Sequence, residues 1–128
     1  MSLISRCIED APAGDKAISC LLLRTGFLPH QSGFRYLVEA IKMVYKNPDI
    51  LGRVTKKLYP DLARKFQTNP SRVERNIRHA IETAAGSPGY QKVFGPFLSD
   101  VRPTNAHFLA LAAEILRHGL ASEEVTQC

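Results

Sequence analysis

Residues 34–46, FRYLVEAIKMVYK, put Phe34, Leu37, Val38, Ile41, Val44 and Tyr45 on one face of an α-helix. The offsets from Phe34 are 3, 4, 7, 10 and 11. A half-buried strand would alternate apolar and polar residues, and no stretch of the chain sustains that pattern. A stripe this apolar must be buried, so the chain needs further helices to cover it. Residues 16–25, KAISCLLLRT, read as a short apolar helix that Asp15 can cap, with Gly26 just past its end. The run NPD at 47–49 stops one helix and restarts another, since Pro48 suits a first turn. Residues 50–59 then continue as helix, with Ile50, Leu51, Val54 and Leu58 inward. Pro60 opens a short helix, PDLARKF, with Leu62, Ala63 and Phe66 inward; QTNP is the turn after it, and residues 70–84 form a longer helix. Between residues 86 and 103, GSPGYQK reads as a loop and VFGPFLSD has no clean period. The last helix begins at Thr104 or Asn105 and carries a stripe of Phe108, Leu111, Ala112, Ile115 and Leu116. Arg117 and His118 complement its C-terminal dipole before Gly119. The expected fold class is all-α, a compact bundle of about six helices containing a helix-turn-helix. It occupies residues 16–119, with a short extension at 1–15 and a loose tail at 120–128.

Composition narrows the class. At 128 residues, with 45% apolar and 23% charged residues, the chain suits one soluble domain that can bury its own core. Cys7, Cys20 and Cys128 are odd in number and scattered, which argues against a disulfide framework and against a zinc site. His30, His79, His107 and His118 are equally dispersed. Cys20 sits in an apolar helix, and Tyr59 and Phe66 read as packing residues. There is no Gly-rich phosphate loop, no His-Glu-x-x-His and no Gly-x-Ser-x-Gly, so no enzyme activity, cofactor or metal is expected. No apolar run reaches the length of about 20 residues that spans a membrane, and MSLISRCIEDAPAGD lacks the pattern of a secretory signal. The expected location is the reduced cytoplasm.

The charge is concentrated. Between residues 53 and 82 stand eight cations against three anions, a surplus that equals the whole net charge of +5. The rest of the chain balances nine against nine. A localised basic block suits a polyanionic partner. Within NPSRVERNIRHAIE the cations are also sorted by angle. With Val73 at zero and about 100° per residue, Ile77, Ala80, Ile81 and Ala84 share an arc of about 100°. Arg72, Arg75, Arg78 and His79 lie opposite, between about 140° and 260°. Like charges three or four apart repel by about 0.2–0.5 kcal/mol per pair, so helix stability alone does not explain the face.

A two-turn helix, a short turn and a longer cationic helix is the shape of a helix-turn-helix, whose second helix enters a DNA major groove. Arginine pairs with guanine O6 and N7, and glutamate accepts from a cytosine amine. Arg72, Glu74 and Arg75 lie near the N-terminal end of the second helix, where base readers are expected, with Arg78 and His79 adding base or phosphate contacts. Lys56, Lys57, Arg64, Lys65 and Ser71 would meet the backbone of the duplex. Two local readings compete at the helix start. Ser71 and Glu74 match a Ser-x-x-Glu capping box, which would turn Glu74 back on the helix. Asn69 as cap with Pro70 at the first position leaves Glu74 available.

The blocks LYPDLA-KF, SRVER-IRHAIE and PTN--F, in this order, resemble the C-terminal DNA-binding domain of the stage-zero sporulation response regulator, which controls endospore formation in Firmicutes. The resemblance runs from about Lys16 to His118. It implies a six-helix domain without enzymatic activity that binds a short promoter box, often as tandem head-to-tail dimers. It implies base reading by the residues that match Arg72, Glu74 and Arg75, with Arg78 and His79 nearby. RNA polymerase sigma factor is a further implied partner, through the region after the recognition helix. Three departures stand out. Only about fifteen residues of this sequence precede the first helix, too few for the family's receiver, and the start MSLISRC leads to the expectation of a stand-alone relative over an isolated effector domain. AAGSPGYQKVFG is shorter than the family's loop, with Ala85 in place of a usual tryptophan, and Asn76 replaces a usual small residue.

The leading expectation is a sequence-specific DNA-binding transcription regulator of the sporulation-initiation type, acting at the nucleoid through residues 70–84. The rival is a helical protein-binding module that modulates the full-length regulator or a sigma factor. A third reading is nonspecific nucleic-acid binding.

Overall fold

The computed structural model describes residues 14–98 and 103–119. Among them are six α-helices and no strand. The helices are α1 (Asp15–Arg24), α2 (Ser32–Lys46), α3 (Tyr59–Lys65), α4 (Pro70–Ala84), α5 (Pro88–Phe94) and α6 (Asn105–His118). The expected extension lies outside the described residues apart from positions 14 and 15, as does all of the expected tail.

Helix α2 is the centre of the bundle. Its apolar stripe buries Phe34, Leu37, Val38, Ile41 and Val44 between α1, α4 and α6. Gly33, in its first turn, lets α2 meet α4 almost backbone to backbone. A Cβ at Gly33 would lie 2.4 Å from the Asn76 carbonyl oxygen and 2.9 Å from the Ala80 Cβ. Asn76 itself is half-buried on that side of α4.

Asp15 occupies the first turn of α1 rather than capping it, and reaches Lys42 of α2 at 2.5 Å. The helix ends on a buried threonine. Thr25 Oγ1 donates back to the Leu21 and Leu22 carbonyls at 2.8 and 3.1 Å. Gly26 follows at φ +90°, where a side chain would be strained. Ser87 then joins this end to α5: its Oγ donates to the Thr25 carbonyl at 3.1 Å and accepts from the Tyr90 amide at 3.1 Å.

Two stretches differ from the sequence expectation. Residues 50–59 are not continuous α-helix; a 3-10 segment (Pro48–Arg53) runs into a π segment (Val54–Leu58). Pro60 explains the widening. It has no N–H for the Lys56 carbonyl and its ring crowds that carbonyl, so the turn before it opens. The Tyr59 amide bonds the Val54 carbonyl, five residues back. Ile50 and Leu58 reach the core as expected, while Leu51 and Val54 are only half-buried. Second, the expected loop at GSPGYQK contains α5, capped by Ser87 with Pro88 in its first turn. It exists to deliver Tyr90 and Phe94, four apart, to an aromatic cluster. Phe108 of α6 lies 5.0 Å from Phe94, 5.4 Å from Phe27 and 6.3 Å from Tyr90, centroid to centroid.

Helix α6 starts at Asn105 with Thr104 as its cap, the Oγ1 accepting from the His107 amide at 3.1 Å. It ends before Gly119, which takes a left-handed φ of 69°. Leu111 is half-buried, and Leu109 and Ala113 are buried in addition to the expected stripe. No helix among the described residues is long and apolar enough to cross a membrane.

Candidate nucleic-acid interface

Helices α3 and α4 pack against each other across a turn at residues 66–69. Helix α3 ends in a Schellman motif. The Thr68 amide donates to the Ala63 carbonyl at 2.9 Å and the Gln67 amide to the Arg64 carbonyl at 3.4 Å. Such a motif needs one left-handed residue, and Gln67 supplies it at φ 56° in place of glycine. Leu62 and Ala63 are buried, and Phe66 packs on Tyr36 with ring centroids 5.1 Å apart.

The start of α4 settles the two competing readings. Asn69 is the cap: its side chain accepts from the Arg72 amide at 2.9 Å, and Pro70 follows in the first turn. Ser71 is exposed and outside the cap. The carboxylate of Glu74 faces down the helix, with Oε2 at 2.6 Å from Arg78 Nη1. The capping box is not formed.

Helix α4 buries Val73, Ile77, Ala80, Ile81 and Ala84, the stripe expected from its periodicity. Arg72, Arg75, Arg78 and His79 are exposed on the other side. Among the described residues, the side chains of Arg72, Arg75 and His79 form no hydrogen bond or ion pair. Glu74 is intermediate, with 36% of its side chain exposed, and its partner Arg78 is exposed by 51%. A cationic row with one acid held against it is thus presented to solvent.

The flanking cations are arranged differently. Lys56 is exposed and forms no ion pair among the described residues. Lys57 and Arg64 both pair with Asp61, Lys57 at 3.4 Å. Lys65 Nζ sits 2.7 Å from Glu39, which also holds Lys42 at 3.1 Å. Such surface pairs are worth only about 0–1 kcal/mol, so a stronger anion can exchange for them. Glu39 is the best sheltered of these acids, its side chain 16% exposed. Burial pushes its carboxyl up, but hydrogen bonds from Lys65 and Lys42 outweigh burial and hold it below its ordinary value. A lowered folded-state value gives stability that is complete above the unfolded value and is lost as pH falls through the folded one. Glu39→Gln should therefore melt below the wild type at neutral pH, and the difference should close in acid. Thermal melts across the acid range check this; a difference that persisted unchanged would show that charge is not its source.

An open cleft runs along the N-terminal half of α4, lined by Thr55, Tyr59, Ser71, Glu74, Arg75 and Arg78. It continues towards the start of α6, where Thr104 and Asn105 join Thr55, Tyr59, Glu74 and Arg78. The π segment is thereby set beside the exposed residues of α4. Thr55 and Asn105 were not identified as neighbours of the site from sequence, although Asn105 belongs to the PTN block already noted. Tyr59 is buried; burial and the negative charge of Glu74 push its hydroxyl up, and the Asn105 hydrogen bond opposes them. Ala85, where a tryptophan is usual in the family it resembles, ends α4 half-buried and accepts from Gln91 Nε2 at 2.8 Å. Among the described residues no three acidic, histidine or cysteine side chains are grouped to hold a metal.

Six helices, a turn closed by a left-handed residue and a basic second helix with its charges outward are the frame of a DNA-binding unit. Residues 18–116 match the family model of the sporulation initiation factor Spo0A C terminal. That is a family of DNA-binding regulator domains and not of enzymes. The chain belongs to the Spo0A C-terminal family of sporulation regulators.

Proposed function

We propose that the chain is a sequence-specific DNA reader that places α4 in the major groove of a short promoter box. The observation that carries this reading is the exposed cationic face of α4, opposite its buried stripe and directly after the turn, on which Arg72, Arg75 and His79 have no hydrogen bond or ion pair among the described residues. Arg72 and Arg75 read guanines, their side chains being free of any partner among the described residues. Glu74 accepts from a cytosine amine, and Arg78, paired to it at 2.6 Å, holds its carboxylate along the groove. Arg78 and His79 add base or phosphate contacts further along the helix. Lys56, Lys57, Arg64, Lys65 and Ser71 anchor the backbone, the paired cations exchanging their acids for phosphates. Contact with a sigma factor, head-to-tail pairing on tandem boxes and a place at the cytoplasmic nucleoid belong to the same proposal.

The anchoring role has a direct test in salt dependence. Lys65→Ala should weaken binding to all duplexes alike and lower the slope of log affinity against log salt by roughly one. A titration from low to physiological salt measures it. If the slope does not change, Lys65 stays with Glu39 in the complex and is no anchor.

A further inference from the structure

Among the described residues only Thr25 and Asn105 are buried polar residues. Thr25 spends its hydroxyl on its own helix. Asn105, 8% exposed, spends its amide on two other helices. Its Nδ2 donates to the Tyr59 hydroxyl oxygen at 3.0 Å and to the Glu74 main-chain carbonyl at 3.1 Å. Both amide hydrogens are therefore used. The orientation of the amide follows from chemistry, because a carbonyl oxygen can only accept and so must face the nitrogen.

The three residues sit at particular places. Asn105 opens α6, Tyr59 opens α3 and Glu74 lies in the second turn of α4. Thr104 already caps α6, which leaves the Asn105 side chain free to reach outward. The rest of the α4 support is apolar: Val73, Ile77, Ala80, Ile81 and Ala84. Apolar packing buries a helix but is not directional, so it holds depth better than it holds rotation or slide. A hydrogen bond to a main-chain carbonyl is directional and acts on the helix axis itself. The carbonyl it grips belongs to the residue whose side chain faces the proposed groove.

We propose that Asn105 is a positioning residue for DNA reading: it clamps the second turn of α4 to α3 and α6 and so sets the register of Arg72, Glu74 and Arg75. The inference rests on the reading of α4 as the recognition helix. It predicts that loss of the clamp blurs discrimination between sequences more than it weakens attraction to DNA. Phosphate attraction tolerates a small shift of the helix, and paired base contacts do not.

The test compares affinity for a duplex selected by the wild-type protein with affinity for a scrambled duplex. Asn105→Ala removes both bonds, and Asn105→Asp keeps the shape but sets an acceptor against the Glu74 carbonyl. Ala113→Gly, in α6 away from the clamp, is the control for lost stability alone. Both Asn105 variants should lose about tenfold of the selected-to-scrambled ratio, the equivalent of one disturbed base contact. The control should keep the wild-type ratio. If wild-type protein prefers no sequence, the DNA reading falls and this inference with it. If wild-type protein discriminates and the Asn105 variants discriminate as well, the clamp alone is overturned. An equal loss in Ala113→Gly also overturns it. A second measurement needs no variant: in wild-type protein the two Asn105 side-chain amide protons should exchange slowly with solvent. Exchange as fast as that of an exposed asparagine would contradict the clamp.

Discussion

Arg75→Ala should lower affinity for the preferred duplex by about 1–3 kcal/mol, roughly five- to 150-fold, while binding to scrambled DNA changes far less. Arg75 is exposed, has no partner to release among the described residues, and lies at the N-terminal half of α4 beside Ser71 and Glu74. A bidentate contact to guanine would thus form without breaking an ion pair. The same substitution leaves the core intact, because Val73 and Ile77 face away from it. Circular dichroism melts should show no large change, since exposed helix positions are normally within about 0.5 kcal/mol of neutral. Equilibrium titration on the two duplexes gives the answer. Equal losses on both would turn Arg75 from a base reader into a phosphate contact.

Phe108→Ala should have the opposite signature. The ring is fully buried and stands at the junction of Phe27, Phe94 and Tyr90. Truncating such a residue costs about 3–5 kcal/mol, through lost transfer free energy and the cavity left behind. A domain of this size typically has about 5–15 kcal/mol to lose, so a large part of the fold's stability is removed. Phe108 lies one turn beyond Asn105, and the cluster ties α5, α6 and the segment after α1 into one unit. Binding to preferred and scrambled DNA should therefore fall together, in proportion to the unfolded fraction. Chemical denaturation gives the stability change; a midpoint close to the wild type would mean that the cluster repacks around the gap.

The contrast between these substitutions reflects what could be read from the chain. The stripes of α2 and α4 were legible because each is long enough for its period to repeat several times. The outward cations of α4 followed from the same geometry. The π segment was not legible, because its winding depends on Pro60 downstream and not on its own residues. Helix α5 was hidden by its seven residues and by the glycine and proline inside and around it. Pairings across the sequence were beyond reach altogether. Lys65 meets Glu39, 26 residues away, and Asn105 meets Tyr59 and Glu74, 46 and 31 residues away. Local pattern carries no information about such partners. Capping lay between these extremes: Asn69 and Ser71 both had the right chemistry, and the extended φ and ψ of Asn69 decided it.

The proposed function stands or falls on whether α4 reads sequence. Its most direct test is selection of bound duplexes from a random pool by the wild-type chain, followed by titration on the enriched and a scrambled duplex over a range of salt. One short box should be enriched and bound on the order of a thousandfold or more tighter than the scrambled control, with steep salt slopes on both. A pool that stays random, or equal affinity for the two duplexes, would contradict it.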